Sequence, residues 1–134
     1  MLLVDATAVS GGVTEFSRAD IKEFDQISYR TATEFTDGTP LFSGPLVRDV
    51  LKAIDAPDAS VAVMTAANDY AIEIPISDFQ DYDVILATSV DGKRLSLRDK
   101  GPIWVMYPLD KHTKLQDPLY NSRLIWQIIR IDLK

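Results

Sequence analysis

The sequence predicts an α+β fold: a single domain over residues 1–134, made of mixed β-sheet strands with a few short helices. Three observations carry this. Stretches 27–35, 60–66 and 71–76 are rich in Tyr, Thr, Val and Ile, as strands are. Leu46, Val50, Leu51 and Ile54 recur at helical spacing on one face. No internal repeat or low-complexity linker divides the chain, which is long enough to bury one core.

Taken in order, residues 2–8 suit a first strand. Ser17-Arg18-Ala19-Asp20 has the form of a capping box, with Ser17 as N-cap, ahead of a short helix that buries Ile21 and Phe24. The strand 27–35 runs to a turn at Asp37-Gly38, and a second helix over 45–54 begins with Pro at its first position. Strands 60–66 and 71–76 are joined through Asn68-Asp69-Tyr70. Stretches 83–89 and 93–97 form a hairpin about Asp91-Gly92. Residues 103–107 make another strand, 108–122 a polar loop, and 124–133 a closing strand with Ile125, Ile129, Ile131 and Leu133 on one face.

Composition narrows the function. There is no cysteine, hence no disulfide, thiolate metal site or Cys nucleophile. The formal charge of −6 opposes general affinity for nucleic acid or anionic lipid. That charge is uneven: residues 1–90 hold 5 basic and 15 acidic side chains, residues 91–134 hold 9 and 5. No run of about 18 apolar residues suggests a membrane span. The opening Met-Leu-Leu-Val-Asp lacks the basic region and apolar stretch of a signal peptide.

The usual catalytic arrangements are missing. His112 is the lone histidine, Asp78, Asp81 and Asp83 read as turn-solvating or helix-capping carboxylates, and no glycine-rich phosphate loop or nucleophile elbow occurs. More chemistry lies in Arg98-Asp99-Lys100-Gly101-Pro102, where cations precede a Gly-Pro turn that leads into Trp104 and Tyr107. Asn68-Asp69-Tyr70 serves either as a plain turn or as a reader of a heterocycle's donor and acceptor edge. Trp104 and Trp126 belong either to the core or to a stacking surface, and Arg123 pairs with Asp117 or holds a ligand anion.

In this order these segments resemble the molybdopterin-binding domain of the sulfite oxidase fold, in particular its small bacterial pterin-binding members. The carriers are Thr31-Ala32-Thr33-Glu34-Phe35, Phe42-Ser43-Gly44-Pro45-Leu46, Asn68-Asp69-Tyr70, Asp91-Gly92, Arg98-Asp99-Lys100-Gly101-Pro102, Tyr107-Pro108 and Ser122-Arg123-Leu124-Ile125-Trp126-Gln127. The resemblance covers nearly the whole chain. It implies that Gly101, Pro102 and Arg123 help hold a pterin cofactor and its phosphate. It also implies that a molybdenum-ligating cysteine would stand within 29–35, where this chain has Thr or Ala. Neither replaces a soft anionic ligand, so no molybdenum is expected.

The resemblance therefore implies a non-catalytic pterin-binding module, exported to the periplasm and reporting pterin to a membrane-bound partner that controls cyclic di-GMP. In that reading Trp104, Tyr107 or Trp126 stacks the ring, Thr33, Asn68 and Tyr70 read its edge, and Arg98, Lys100 and Arg123 neutralise any anionic group. Two alternatives stand beside it: a molybdopterin-dependent oxidoreductase, and a protein interaction domain with a vestigial pocket.

Overall fold

A computed structural model describes residues 1–54 and 58–134. Eleven strands and four short α-helices lie in the described residues: β1 (Leu2–Asp5), β2 (Val13–Phe16), α1 (Arg18–Glu23), β3 (Gln26–Arg30), β4 (Leu41–Pro45), α2 (Val47–Lys52), β5 (Val61–Ala66), β6 (Ala71–Pro75), α3 (Ile76–Asp81), β7 (Ile85–Ala87), β8 (Ser89–Val90), β9 (Lys93–Arg94), β10 (Trp104–Met106), α4 (Pro118–Asn121) and β11 (Ile128–Leu133). The architecture is the small mixed-sheet α+β arrangement that the sequence predicts.

A five-stranded sheet has the order β2-β1-β11-β5-β6, in which only β1 and β11 run parallel. Alternation sets its inner face: Leu2 and Val4 of β1, Ala62 and Met64 of β5, Ile74 of β6 and Ile131 of β11 are fully buried. Each of the larger of these side chains contributes about 1.5–3 kcal/mol by burial.

A four-stranded sheet, β3-β4-β8-β9, adjoins the pair β10-β7. They meet at Gly44, where an added Cβ would lie 2.0 Å from the Leu86 carbonyl oxygen; only glycine lets the two backbones approach this closely.

The capping box forms as the sequence predicts. Ser17 Oγ accepts from the Asp20 N–H at 3.1 Å, and Asp20 Oδ2 accepts from the Ser17 N–H at 2.8 Å. The Asp20 carboxyl is held below its ordinary value, first by the Ser17 backbone bond and then by its hydroxyl.

Several elements differ from the expectation. The first strand stops at Asp5, because Asp5 Oδ1 accepts from both the Thr7 N–H and hydroxyl and turns the chain into a 3-10 turn over Thr7–Val9. The strand expected over 27–35 leaves the sheet after Arg30: Ala32 N–H donates to Asp110 Oδ2 and Asp110 N–H to Thr31 Oγ1, drawing this stretch off to the 3-10 turn Leu109–Lys111.

Pro45 ends β4 instead of opening α2, with Leu46 at the N-cap. The expected loop 108–122 is largely helical turns, and Asp117 caps α4 by accepting from Leu119 N–H at 2.9 Å. β2 and α3 do not appear in the sequence reading. In the last strand a register shift between Ile128 and Arg130 turns Ile129 outward, 40% exposed, while Ile125, Ile128, Ile131 and Leu133 are buried. A bulge of this kind breaks the alternation on which the predicted face depended.

Candidate functional site

A cleft of about 330 Å³ opens where three chain segments converge. The turn after β5 supplies Asn68 and Tyr70, the stretch after β3 supplies Phe35, and the approach from α4 to β11 supplies Asn121, Ser122, Trp126 and Gln127. Its lining contains three aromatic rings and three amides, and no carboxylate or imidazole.

Local bonding fixes each wall. Asn68 Oδ1 accepts from the Tyr70 N–H at 3.1 Å, and Asp69 sits at φ +70, so this turn projects Tyr70 56% exposed. The Ala67 N–H donates to the Gln127 carbonyl at 2.9 Å and the Gln127 N–H to the Lys100 carbonyl at 3.2 Å, binding three segments together. Gln127 itself is left-handed at φ +56, and its Nε2 donates to the Leu97 carbonyl at 2.7 Å. Thr33 does not line the cleft: its Oγ1 accepts from Phe35 N–H and lies 2.9 Å from Thr36 Oγ1, a small turn that sets Phe35 in the wall.

Trp126 is the central ring. It meets Phe35 edge-on at 5.1 Å between centroids and Trp104 edge-on at 6.2 Å. Lys100 Nζ stands 5.3 Å from the Trp126 centroid and 5.5 Å from that of Trp104, so one ammonium is held by two indoles. This places a cation against the ring that lines the cleft.

The remaining sequence candidates lie elsewhere. Trp104 is 2% exposed, donates from Nε1 to the Leu124 carbonyl and packs on Phe42, so it has no free face for a ligand. Tyr107 is fully buried with its hydroxyl donating to Asp78 at 2.6 Å. Burial first, and then Asp78, push its ionisation far above the ordinary tyrosine value. Arg123 pairs with Asp78, not Asp117, at 2.5 Å, so its charge is spent on an internal carboxylate.

Gly101 is buried where a Cβ would lie 2.4 Å from the Leu95 carbonyl oxygen, a packing requirement. Pro102 lines a different cleft, and Arg98 is exposed on the 3-10 turn Leu97–Asp99. Sequence reasoning missed Phe35, Asn121 and Gln127 as wall residues. For Gln127 the signal was present, because it directly follows Trp126.

The model of a family described as "Oxidoreductase molybdopterin binding domain" matches residues 14–110, more than half of the chain. The chain belongs to this family. No curated protein matches it. Among solved structures, the crystal structure of the sulfane dehydrogenase SoxCD from Paracoccus pantotrophus superposes with a TM-score of 0.70 at 16% identity, covering 98% of this chain. The chain spans 37% of the length of that relative, whose fold it shares.

The family's cofactor can be compared with the donors present. Three aromatic rings and several amides suit a flat, hydrogen-bonding heterocycle such as a pterin. The metal is different. The segment 29–35 offers Thr31 and Thr33, whose hydroxyls are engaged internally, and the chain has no thiolate to give. Among the described residues no group of three or more His, Cys, Asp or Glu is placed to hold a metal ion. The donor set fits the ring and does not fit a thiolate-ligated molybdenum.

Proposed function

We propose that this chain is a non-catalytic pterin-binding module. The observation that carries the reading is the cleft itself: Phe35, Tyr70 and Trp126 bring stacking surfaces and Asn68, Asn121 and Gln127 bring amides, with no carboxylate, imidazole or soft metal ligand in the lining. Such a lining can bind and orient a ring, but it offers neither an imidazole nor a carboxylate, the commonest groups for moving a proton at it. Lys100, against Trp126, supplies one cation for an anionic substituent.

The same reading extends to the setting. On this reading the chain is a sensor, an exported one that reports pterin occupancy to a membrane-bound cyclic di-GMP enzyme.

Titration of tryptophan fluorescence with oxidised and reduced pterins tests the binding, since Trp126 lies in the wall; saturable quenching is expected. Elemental analysis after expression in a molybdenum-cofactor-competent host tests the absence of the metal. Stoichiometric molybdenum with substrate turnover would return the chain to the oxidoreductases.

A further inference from the structure

A second cleft, of about 370 Å³, lies between α1 and the β8–β9 hairpin. Its charge is of one sign. Arg18 and Lys22 of α1 and Arg94 of β9 line it, no acidic residue does, and among the described residues none of the three cations is within 4.0 Å of a carboxylate. In a chain of net charge −6 such a concentration is a local construction.

The helix explains it. Arg18 and Lys22 are four residues apart and share one face of α1. Asp20 and Glu23 point the other way, into a shallow groove that they line with Glu15. The capping box spends Asp20 on the Ser17 N–H and fixes the helix at its start, so this division of charge is held in place. Across the cleft the Ser89–Arg94 register of the hairpin sets Arg94 beside the Ser89 hydroxyl, with Thr88 adjacent. Ile21, 1% exposed, supplies an apolar floor.

We propose that this cleft binds a small organic anion bearing at least two negative charges, a dicarboxylate or an organic phosphate, at a site separate from the pterin cleft. Two arginines and a lysine, which are donors only, line the cleft with two hydroxyls that can each donate one hydrogen bond, and this set suits multivalent oxyanions. The size matches one small molecule. The segment Lys100-Gly101-Pro102 touches both clefts, Lys100 through Trp126 and Pro102 as a wall of this one, so the two sites share a structural element.

The test is an amide NMR titration of the whole chain with citrate, with pyrophosphate and with glycerol as the neutral control, at low and high salt. Saturable shifts at Ser89 and Gly92 with either anion, weakened by salt and absent with glycerol, are expected. The stronger of the two probes tells carboxylate from phosphate. Arg94→Gln and Lys22→Gln should each weaken binding about tenfold, the loss of one charge-assisted bond. Lys93→Gln, on the neighbouring residue that does not line the cleft, should leave it unchanged. No saturable shift, or equal loss in the Lys93 variant, would overturn the proposal, as would shifts centred on Trp126. Retention of pterin binding in Arg94→Gln is expected.

Discussion

Arg123 and Asp78 form an ion pair between the segment bordering the cleft of Trp126 and α3, 45 positions apart, with side chains only 15% and 8% exposed. Tyr107 completes the arrangement by donating to the same Asp78 oxygen. Arg123→Gln should therefore destabilise the protein by about 3–5 kcal/mol, because Asp78 would remain buried without its cation. Urea unfolding measures this. A loss below about 1 kcal/mol would show the pair to be as weak as an exposed one.

Trp126 and Trp104 should separate cleanly on mutation. Trp126→Ala removes a cleft wall and should weaken pterin binding by roughly 1–3 kcal/mol, by analogy with base stacking, with an unchanged circular dichroism spectrum. Trp104→Ala empties a buried site and should cost about 3–5 kcal/mol of stability. If Trp126→Ala binds pterin like the parent, the stacking assignment fails.

Gly101→Ala should fold poorly, since the new methyl meets the Leu95 backbone at 2.4 Å and backbone cannot step aside as a flexible side chain can. Thermal unfolding of the soluble fraction is the measurement. A melting temperature equal to the parent's would mean that the 95–101 loop relaxes freely.

Alkaline titration reports on the core. Burial holds the Tyr29 and Tyr107 hydroxyls well above the ordinary value of 10.0. Unfolded chains bind fewer protons than folded ones in that range, so the contribution of both groups is complete below pH 10 and is lost as pH rises toward the folded values. Two tyrosines should thus ionise only as the protein unfolds, seen as coincident changes in tyrosinate absorbance and circular dichroism. Tyr107→Phe should remove one of them from that step.

Much of this was legible from local chemistry. The Ser17 capping box, the Asp91-Gly92 turn and the alternation of β5 and β6 depend on near neighbours, and all three appear in the structure. What sequence could not show depended on distant partners. Asp78 reads as a surface carboxylate until Arg123 and Tyr107 are brought to it, and Ile129 reads as core until the bulge turns it over. For the cleft, Asn68, Tyr70 and Trp126 were visible as chemistry-bearing residues. Whether a tryptophan lines a cavity or fills a core is decided by tertiary packing, and that is where Trp104 and Trp126 part.

The parallel pairing of β1 with β11 at the middle of the five-stranded sheet has a consequence for synthesis. The first strand must wait for the last before the sheet can close, so β1 and β2 emerge from the ribosome as a hairpin with an open apolar edge. Long-range pairing of this sort is slow to form and prone to association while it is incomplete. Loss of the residues of β11 would leave β1 and β5 each open on one side, two sticky edges where the finished sheet has a sealed centre.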